Sequence, residues 1–309
     1  MMRQILPSFR KVSEIADPVP PLILRNCFES LSPSCLLVEK GHLKAYLLYP
    51  GSAPRILQEI GRLREITFRA VGEGTGYSTD TDEFDDYFHQ LVIWDKKNEL
   101  IVGAYRIGFG PQIYKERGIK GFYVRSLFKI HRKGHYLLKD GLELGRSFIR
   151  EEYQMKPMPL FMLWQAILKI VRQENIQYIF GCISISNAFS QTSRSLIAAY
   201  IKKYYYDAEY AEHVKAKVEY RAKLHSEAHK ALVNALPNDV KSLQRMVQNF
   251  EPAGIRFPVL IRQYLSQNAR IVGFNIDPKF GNCLDAFMYL NVKHIPESLL
   301  TKAMNELNS

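Results

Sequence analysis

A mixed α/β fold (α+β), with a mostly antiparallel central sheet flanked by helices, is predicted by three observations on this 309-residue chain. HQLVIWD and IVGAYRIGF flank Lys96-Lys97-Asn98-Glu99, the pattern of a β-hairpin over roughly 90–95 and 100–107. Ile56, Ile60, Leu63 and Phe68 recur at helical spacing between Ala53 and Val71. Gly141–Ile149 (GLELGRSFI) reads as a strand, and a proline-started helix then leads to Tyr178–Ser184 (YIFGCIS), apolar enough for a buried central strand.

Composition narrows the class. Hydrophobic residues at 47% are ample for a core, and 24% charged residues are ordinary for a soluble globular chain. A net charge of +11 points to an acidic partner: nucleic acid, an anionic membrane surface or an acidic carrier protein. Cys27, Cys35, Cys182 and Cys283 form no CxxC pair, which speaks against a disulfide framework or zinc site and for a reducing, cytoplasmic setting. No apolar run reaches the roughly 20 residues of a membrane span, and the N-terminus has no signal-peptide pattern, so any membrane contact is expected to be peripheral, on the inner face.

In order, residues 1–42 read as an irregular N-terminal segment broken by Pro18, Pro20 and Pro21, with a short helix over Leu22–Leu31. The rest, 43–309, reads as a single domain. Leu43–Tyr49 ends at Pro50-Gly51 and reads as the first strand. The helix over Ala53–Val71 has Pro54 in its first turn. Gly72–Thr81 is rich in Gly, Ser and Thr and reads as a loop, leading into the acidic Asp82–Phe88. Pro157-Met158-Pro159 opens a helix with Leu160, Leu163, Ile167, Ile170 and Val171 on one face, ending near Asn175. Ser190 caps a helix from Gln191 to about Tyr205. Residues 206–249 mix acids and bases and read as a solvated helical insert. A helix at Phe257–Leu265 and strands within 269–292, turning at Asp277–Asn282, form a C-terminal extension.

The stretch 111–140 is the most basic part of the chain, with Lys129, Arg132 and Lys133 at its centre and Phe122, Tyr123, Phe128 and Tyr136 interleaved. Short helices and loops at the surface are expected there.

Five short stretches come in a telling order: LREITF (63–68), DEFDDYF (82–88), GAYR (103–106), ELGRSF (143–148) and YQxKPxPLFMLW (153–164). Together with FPVLIRQYLSQNARIVG near the C-terminus, they resemble the ornithine and glycine N-acyltransferases of bacterial aminolipid synthesis, the hemolysin-like family. LREITF, the acidic loop and the E-x-x-R strand are more distantly similar to acyl-homoserine-lactone synthases. The resemblance covers about residues 45–295. It implies the GNAT acyltransferase fold, in which the fourth and fifth strands splay apart, here 141–149 and 178–184. It further implies transfer of a long acyl chain, with or without a 3-hydroxyl group, from acyl carrier protein to an amino group. No permanently bound cofactor is implied; the acyl-phosphopantetheine of the carrier is the donor.

An amine attacking a thioester must lose a proton and needs stabilisation of the developing oxyanion. Glu143 is the leading candidate for the base or for an ammonium anchor. Arginine binds carboxylates bidentately, so Arg64, Arg106 and Arg146 are candidates for the acceptor's carboxylate. Asp85 could hold the ammonium or orient an arginine. The competing reading is a buried ion-pair network, Glu143–Arg146 with Asp85–Arg64, that only stabilises the fold. Within the resemblance, Ser147, Phe148 and Ile149 offer backbone groups to the pantetheine arm.

Two departures from the family pattern refine the expectation. Typical GNAT enzymes cradle a pyrophosphate with a glycine-rich turn, whereas Gln154–Pro159 has no glycine and two prolines that donate no N–H. Coenzyme A is therefore the less favoured donor, and Lys156 with a few amides suits the single phosphodiester of a carrier-linked arm. His89 stands where the ornithine enzymes usually carry an aspartate, and the YQxKPxP turn looks like the glycine-lipid branch, so glycine is preferred as substrate.

In this reading Lys129, Arg132 and Lys133 dock the acidic acyl carrier protein. Contact with an anionic membrane is an alternative role for that surface. No histidine spacing suits a metal, and Cys182, Ser184 and Ser186 lie on or after a strand with no GxSxG elbow, which disfavours a covalent acyl-enzyme. The competing functions are ornithine acylation, a signal synthase acting on S-adenosylmethionine, and nucleic-acid binding. The last lacks a recognised motif, and no nucleic acid is expected as partner.

Overall fold

The computed structural model describes residues 12–224, 226–252 and 255–299. Pro21 starts α1 (Pro21–Glu29), where the missing N–H has no helical acceptor to lose. Leu24 and Phe28 bury one face of α1, and Phe28 stacks on Trp94 at 4.4 Å. β1 (Leu36–Lys40) follows and pairs with β2 (Leu43–Leu48). The stretch before residue 43 is thus not irregular throughout, and Leu43–Tyr49 is the second strand. Five residues closing through Gly41 at φ 60° are too few to show a strand period.

α2 (Pro54–Ala70) buries Ile56, Ile60 and Leu63, as the helical spacing requires. The hairpin is present as β3 (His89–Asp95) and β4 (Leu100–Phe109). The basic stretch folds into α3 (Gly110–Arg117), α4 (Val124–Leu127), β5 (Phe128–Ile130) and α5 (His135–Lys139). β6 (Gly141–Ile149), α6 (Pro157–Gln173) and β7 (Tyr178–Ile185) come next. Ser190 caps α7 (Gln191–Tyr204), its hydroxyl accepting from the Ser193 amide at 3.1 Å.

Residues 206–249 are less helical and less solvated than their charge mixture suggests. They hold α8 (Ala208–Ala211), β8 (Val214–Ala216), α9 (Glu227–Ala235) and α10 (Val240–Gln248), with an isolated bridge from Glu219 to Asn275 after β8. β8 pairs with β5, and Leu243 and Val247 are buried, so tertiary partners override local charge patterning. α11 (Val259–Ser266), β9 (Arg270–Asp277) and β10 (Cys283–Asn291) complete the described chain.

The main sheet has eight strands in the order β1-β2-β3-β4-β6-β7-β10-β9. Every pairing is antiparallel except β6–β7, which α6 connects as a crossover. One face packs Leu142, Leu144, Ile183 and Met288 with α6, α7, α10 and α11. The other packs Phe148 against α1 and α2, and Phe180 and Phe287 against the α4–β5 segment. This is the mixed, mostly antiparallel sheet flanked by helices that the sequence predicts. No helix among the described residues is long and apolar enough to cross a membrane.

Candidate active site

The site begins where a parallel pair comes apart. β6 and β7 pair only from Gly141/Tyr178 to Leu144/Gly181. Beyond that rung β7 stays with β10, while β6 runs on to Ile149 against β4. The β7-facing edge of β6 after Leu144 therefore has no strand partner among the described residues.

The register on the other side of β6 shifts at the same point. Ala104 faces Phe148 and Arg106 faces Gly145, so Arg146 and Ser147 together oppose Tyr105. This is a β-bulge, and Arg146 sits in it at φ 49°. A non-glycine residue held there costs on the order of 1–3 kcal/mol and persists only where its surroundings enforce it. Here they do. The guanidinium pairs with Asp80 at 2.9 Å and Asp82 at 3.1 Å, between the rings of Tyr123 (4.8 Å) and Phe280 (4.3 Å). Burial works against its charge, but Tyr123, Asp80 and Asp82 hold the pKa above the ordinary arginine value.

A cavity of about 230 Å³ fills the splay. Its lining has two characters. Leu144, Ile183, Tyr264 and Met288 belong to the α6-side core and make one side apolar. On that side the Tyr105 hydroxyl meets those of Tyr264, at 3.2 Å, and Ser147. The other side carries Arg146, Tyr123, Ser184 and the carboxylates Glu73, Asp277 and Asp285.

The three carboxylates come from separate segments. Asp285 is 2% exposed in β10 and accepts the Ser184 hydroxyl at 2.7 Å. Burial pushes its pKa up to about 7, with Asp277 adding to the rise against the Ser184 bond. Glu73 lies half-buried just after α2, and burial plus the charge of Asp285 raise it to about 7. The end of α2 is fixed here by the Ser186 hydroxyl bonding Val71 O and by Gly281 packing on the Gly72 carbonyl. Burial likewise pushes the Cys182 and Cys283 thiols up, so neither is a ready nucleophile.

Sequence reasoning missed Glu73 and Asp285. The one legible signal was a carboxylate inside the otherwise apolar DAFMYLNV. Glu73 sits in a polar loop and gives none.

The residues expected at the site divide sharply. Arg146 and Ser147 line the cavity; Glu143, Asp85, Arg64, Arg106 and His89 do not. Glu143 accepts the Tyr123 amide at 3.0 Å and the Val124 amide at 2.6 Å, anchoring the start of α4. Burial raises it to about 7 against those two bonds. It meets the cavity wall through Tyr123 and does not itself line it. The expected Glu143–Arg146 pair is absent because Arg146 turns to Asp80 and Asp82.

The Asp85–Arg64 pair exists at 3.0 Å, and Asp85 also meets Arg106 at 3.3 Å. Although burial opposes it, Arg64 and Arg106 hold Asp85 down at about 2. Arg64 also donates to Gln90 at 2.6 Å. This network braces α2 against β3 and β4. His89 is buried between Tyr49 and Phe109, and burial lowers it to about 4, so it is a neutral core residue.

For the donor side, Phe148 is buried among α2-side residues, and Ile149 O accepts from Gln154 at 3.0 Å. Lys156 is exposed at the start of α6, its ammonium 4.1 Å from the Tyr153 ring centre. Arg256 reaches the same turn, 2.8 Å from Met155 Sδ, two residues before cavity-lining Pro258. Lys129, Arg132 and Lys133 are all exposed. Burial and the like charges of Arg125, Lys129 and Lys279 lower the pKa of Lys217, marking a dense positive cluster. Its members flank Leu127 and Phe280 of the cavity wall in sequence. No group of three or more His, Cys, Asp or Glu among the described residues is placed to hold a metal.

Residues 63–165 match the family described as Acetyltransferase (GNAT) domain. The chain is 30% identical over 279 residues to a glycine N(alpha)-acyltransferase of Bacteroides thetaiotaomicron, covering 84% of this chain and 81% of that protein. It is 29% identical over 303 residues to a glycine N(alpha)-acyltransferase of Phocaeicola vulgatus, covering 93% and 91%. FeeM, an N-acyl amino acid synthase from uncultured soil microbes, superposes with a TM-score of 0.45 at 10% identity, over 86% of this chain and 100% of that one. The chain is a GNAT-fold N-acyltransferase and belongs to the glycine N(alpha)-acyltransferase family.

Proposed function

We propose that the protein moves a long fatty acyl chain from acyl carrier protein to the amino group of glycine, giving an N-acyl amino acid for lipid synthesis. The observation that carries this reading is the two-sided cavity at the free edge of β6. Its apolar side suits an acyl chain, and its other side offers an arginine and acids to a small zwitterion. The extended pantetheine arm, which carries amides, adds to the unpaired edge of β6 as a strand would. That brings the thioester carbonyl to the bulge at Arg146 and Ser147, where backbone donors freed from the ladder stabilise the oxyanion.

Lys156 and Arg256 at the start of α6 are the cations for the phosphodiester. Pro157 and Pro159 leave that helix start short of N–H donors for a pyrophosphate. The Lys129 cluster steers the acidic carrier, with Arg132 and Lys133 extending the same basic segment. Glycine as acceptor is supported by the names of both relatives and by the modest cavity. The enzyme would work in the cytoplasm, touching the membrane at most peripherally.

The test loads acyl carrier protein with a 3-hydroxyhexadecanoyl chain and offers glycine, ornithine or S-adenosylmethionine, with mass-spectrometric detection; a parallel arm uses the acyl-coenzyme A. N-acyl glycine from the carrier-bound donor is expected. Product on ornithine or S-adenosylmethionine alone would overturn glycine. Turnover from coenzyme A but not from the carrier would overturn the donor.

A further inference from the structure

Amide formation from an amino acid and a thioester releases one net proton. The N–C bond forms and the C–S bond breaks; the ammonium gives up two protons, and the departing thiolate takes one. The other must leave a cavity walled by β6, β7 and β10. We propose that Asp285 takes this proton from the acceptor's ammonium as the general base, and that Glu73 passes it to solvent. The inference rests on the reading of this cavity as the site of acyl transfer.

Placement carries the argument. Both hydrogen bonds that Asp285 accepts, from Ser184 at 2.7 Å and the Cys283 thiol at 3.6 Å, go to Oδ1. Among the described residues Oδ2 has no hydrogen-bond partner, on a side chain that lines the cavity and is 2% exposed. The Glu73 carboxylate has no hydrogen bond or ion pair among the described residues, and the residue is half-buried where it lines the cavity. Asp285 is the deeper of the two, Glu73 the more exposed, and their charges interact.

The groups facing Asp285 are Asp277 from β9, Ser184 and Cys182 from β7, Cys283 on its own strand, Arg146 from β6, Tyr123 at the start of α4 and Glu73. Glu143, also buried, is turned to two backbone amides and does not line the cavity. A base is most effective with a pKa near the working pH, and burial brings Asp285 and Glu73 to about 7.

The test measures kcat against pH for wild type, Asp285→Asn, Asp285→Glu, Glu73→Gln and Ser184→Ala, using 3-hydroxyhexadecanoyl acyl carrier protein and saturating glycine. Wild-type kcat should rise through a limb near neutrality. Asp285→Asn should lose about 100- to 10,000-fold in kcat together with that limb. Asp285→Glu should restore the limb in part. Glu73→Gln should move the limb to lower pH by removing a neighbouring negative charge. Ser184→Ala should move it higher by removing a bond to the carboxylate, a readout that a merely structural role would not give. Wild-type turnover with an unchanged limb and kcat in folded Asp285→Asn overturns the inference alone. A wild type that makes no amide overturns the transfer reading and the inference with it.

Discussion

The carbonyl oxygen of Leu144 lies where a Cβ on Gly181 would have to stand, at the last rung that β6 and β7 share. The pair separates immediately beyond that contact. Only glycine permits the close approach, and the obstructing atom is backbone, which cannot rotate aside. Gly181→Ala should therefore cost about 1–3 kcal/mol in stability, read by chemical denaturation, and reduce acyl transfer in the folded fraction. Unchanged stability would show that the strands can part earlier without penalty.

Arg146 holds a left-handed backbone and a two-carboxylate clamp at the cavity wall. Arg146→Lys keeps the charge but loses the planar fork. A charge-assisted bond is worth about 1.5–3 kcal/mol, so KM for the amino acid should rise about 10- to 100-fold. KM for the acyl donor should move much less.

Glu143 predicts a stability effect. Glu143→Gln can still accept from one of the Tyr123 and Val124 amides but turns an NH2 group toward the other. A loss of about 1–3 kcal/mol is expected. The pH dependence has a definite sign. The folded pKa, about 7, lies above the ordinary 4.5, so this group's contribution is complete below 4.5 and is lost as pH rises through about 7. Asp285 and Glu73 act in the same sense. Wild-type Tm should fall between pH 5 and about 8. Glu143→Gln should flatten part of that fall.

Asp85 has the opposite sign. Its folded value of about 2 lies below the ordinary 3.8, so its contribution is present above 3.8 and is lost as pH falls through about 2. Asp85→Asn leaves the buried Arg64 uncompensated and should cost about 3–5 kcal/mol. Because Asp85 is off the cavity wall, KM for glycine in the folded fraction should stay near wild type.

On the apolar side, Leu260 lines the cavity from α11. Leu260→Trp should shorten the preferred acyl chain, measured by competition among carrier-bound donors of different length. An unchanged preference would place the chain elsewhere.

The helices and most strands are legible because their signals are local. Ile56, Ile60 and Leu63 mark α2 by spacing alone, and Pro157 marks the start of α6. β1 is not legible, being five residues long, and neither is the β8 pairing, which joins Ala216 to Phe128 across a long stretch of chain. Arg146 was within reach as a motif residue on a central strand. Glu143 drew attention for the same reason, but its neighbours in space are the amides of Tyr123 and Val124. No pattern along the chain shows which way a buried carboxylate turns.

The sequence by itself determined most of the helix–strand order, the mixed sheet and, through its ordered motifs, an N-acyltransferase family. The tertiary structure alone decided which charges serve the cavity. Asp85 pairs with Arg64 and Arg106 away from the cavity wall, whereas Glu73 and Asp285, 212 positions apart by their numbering, line the same cavity at the splay. A charge's role is set by its burial and by the groups within a few ångströms, and both come from how β6, β7 and β10 pack rather than from neighbours in sequence.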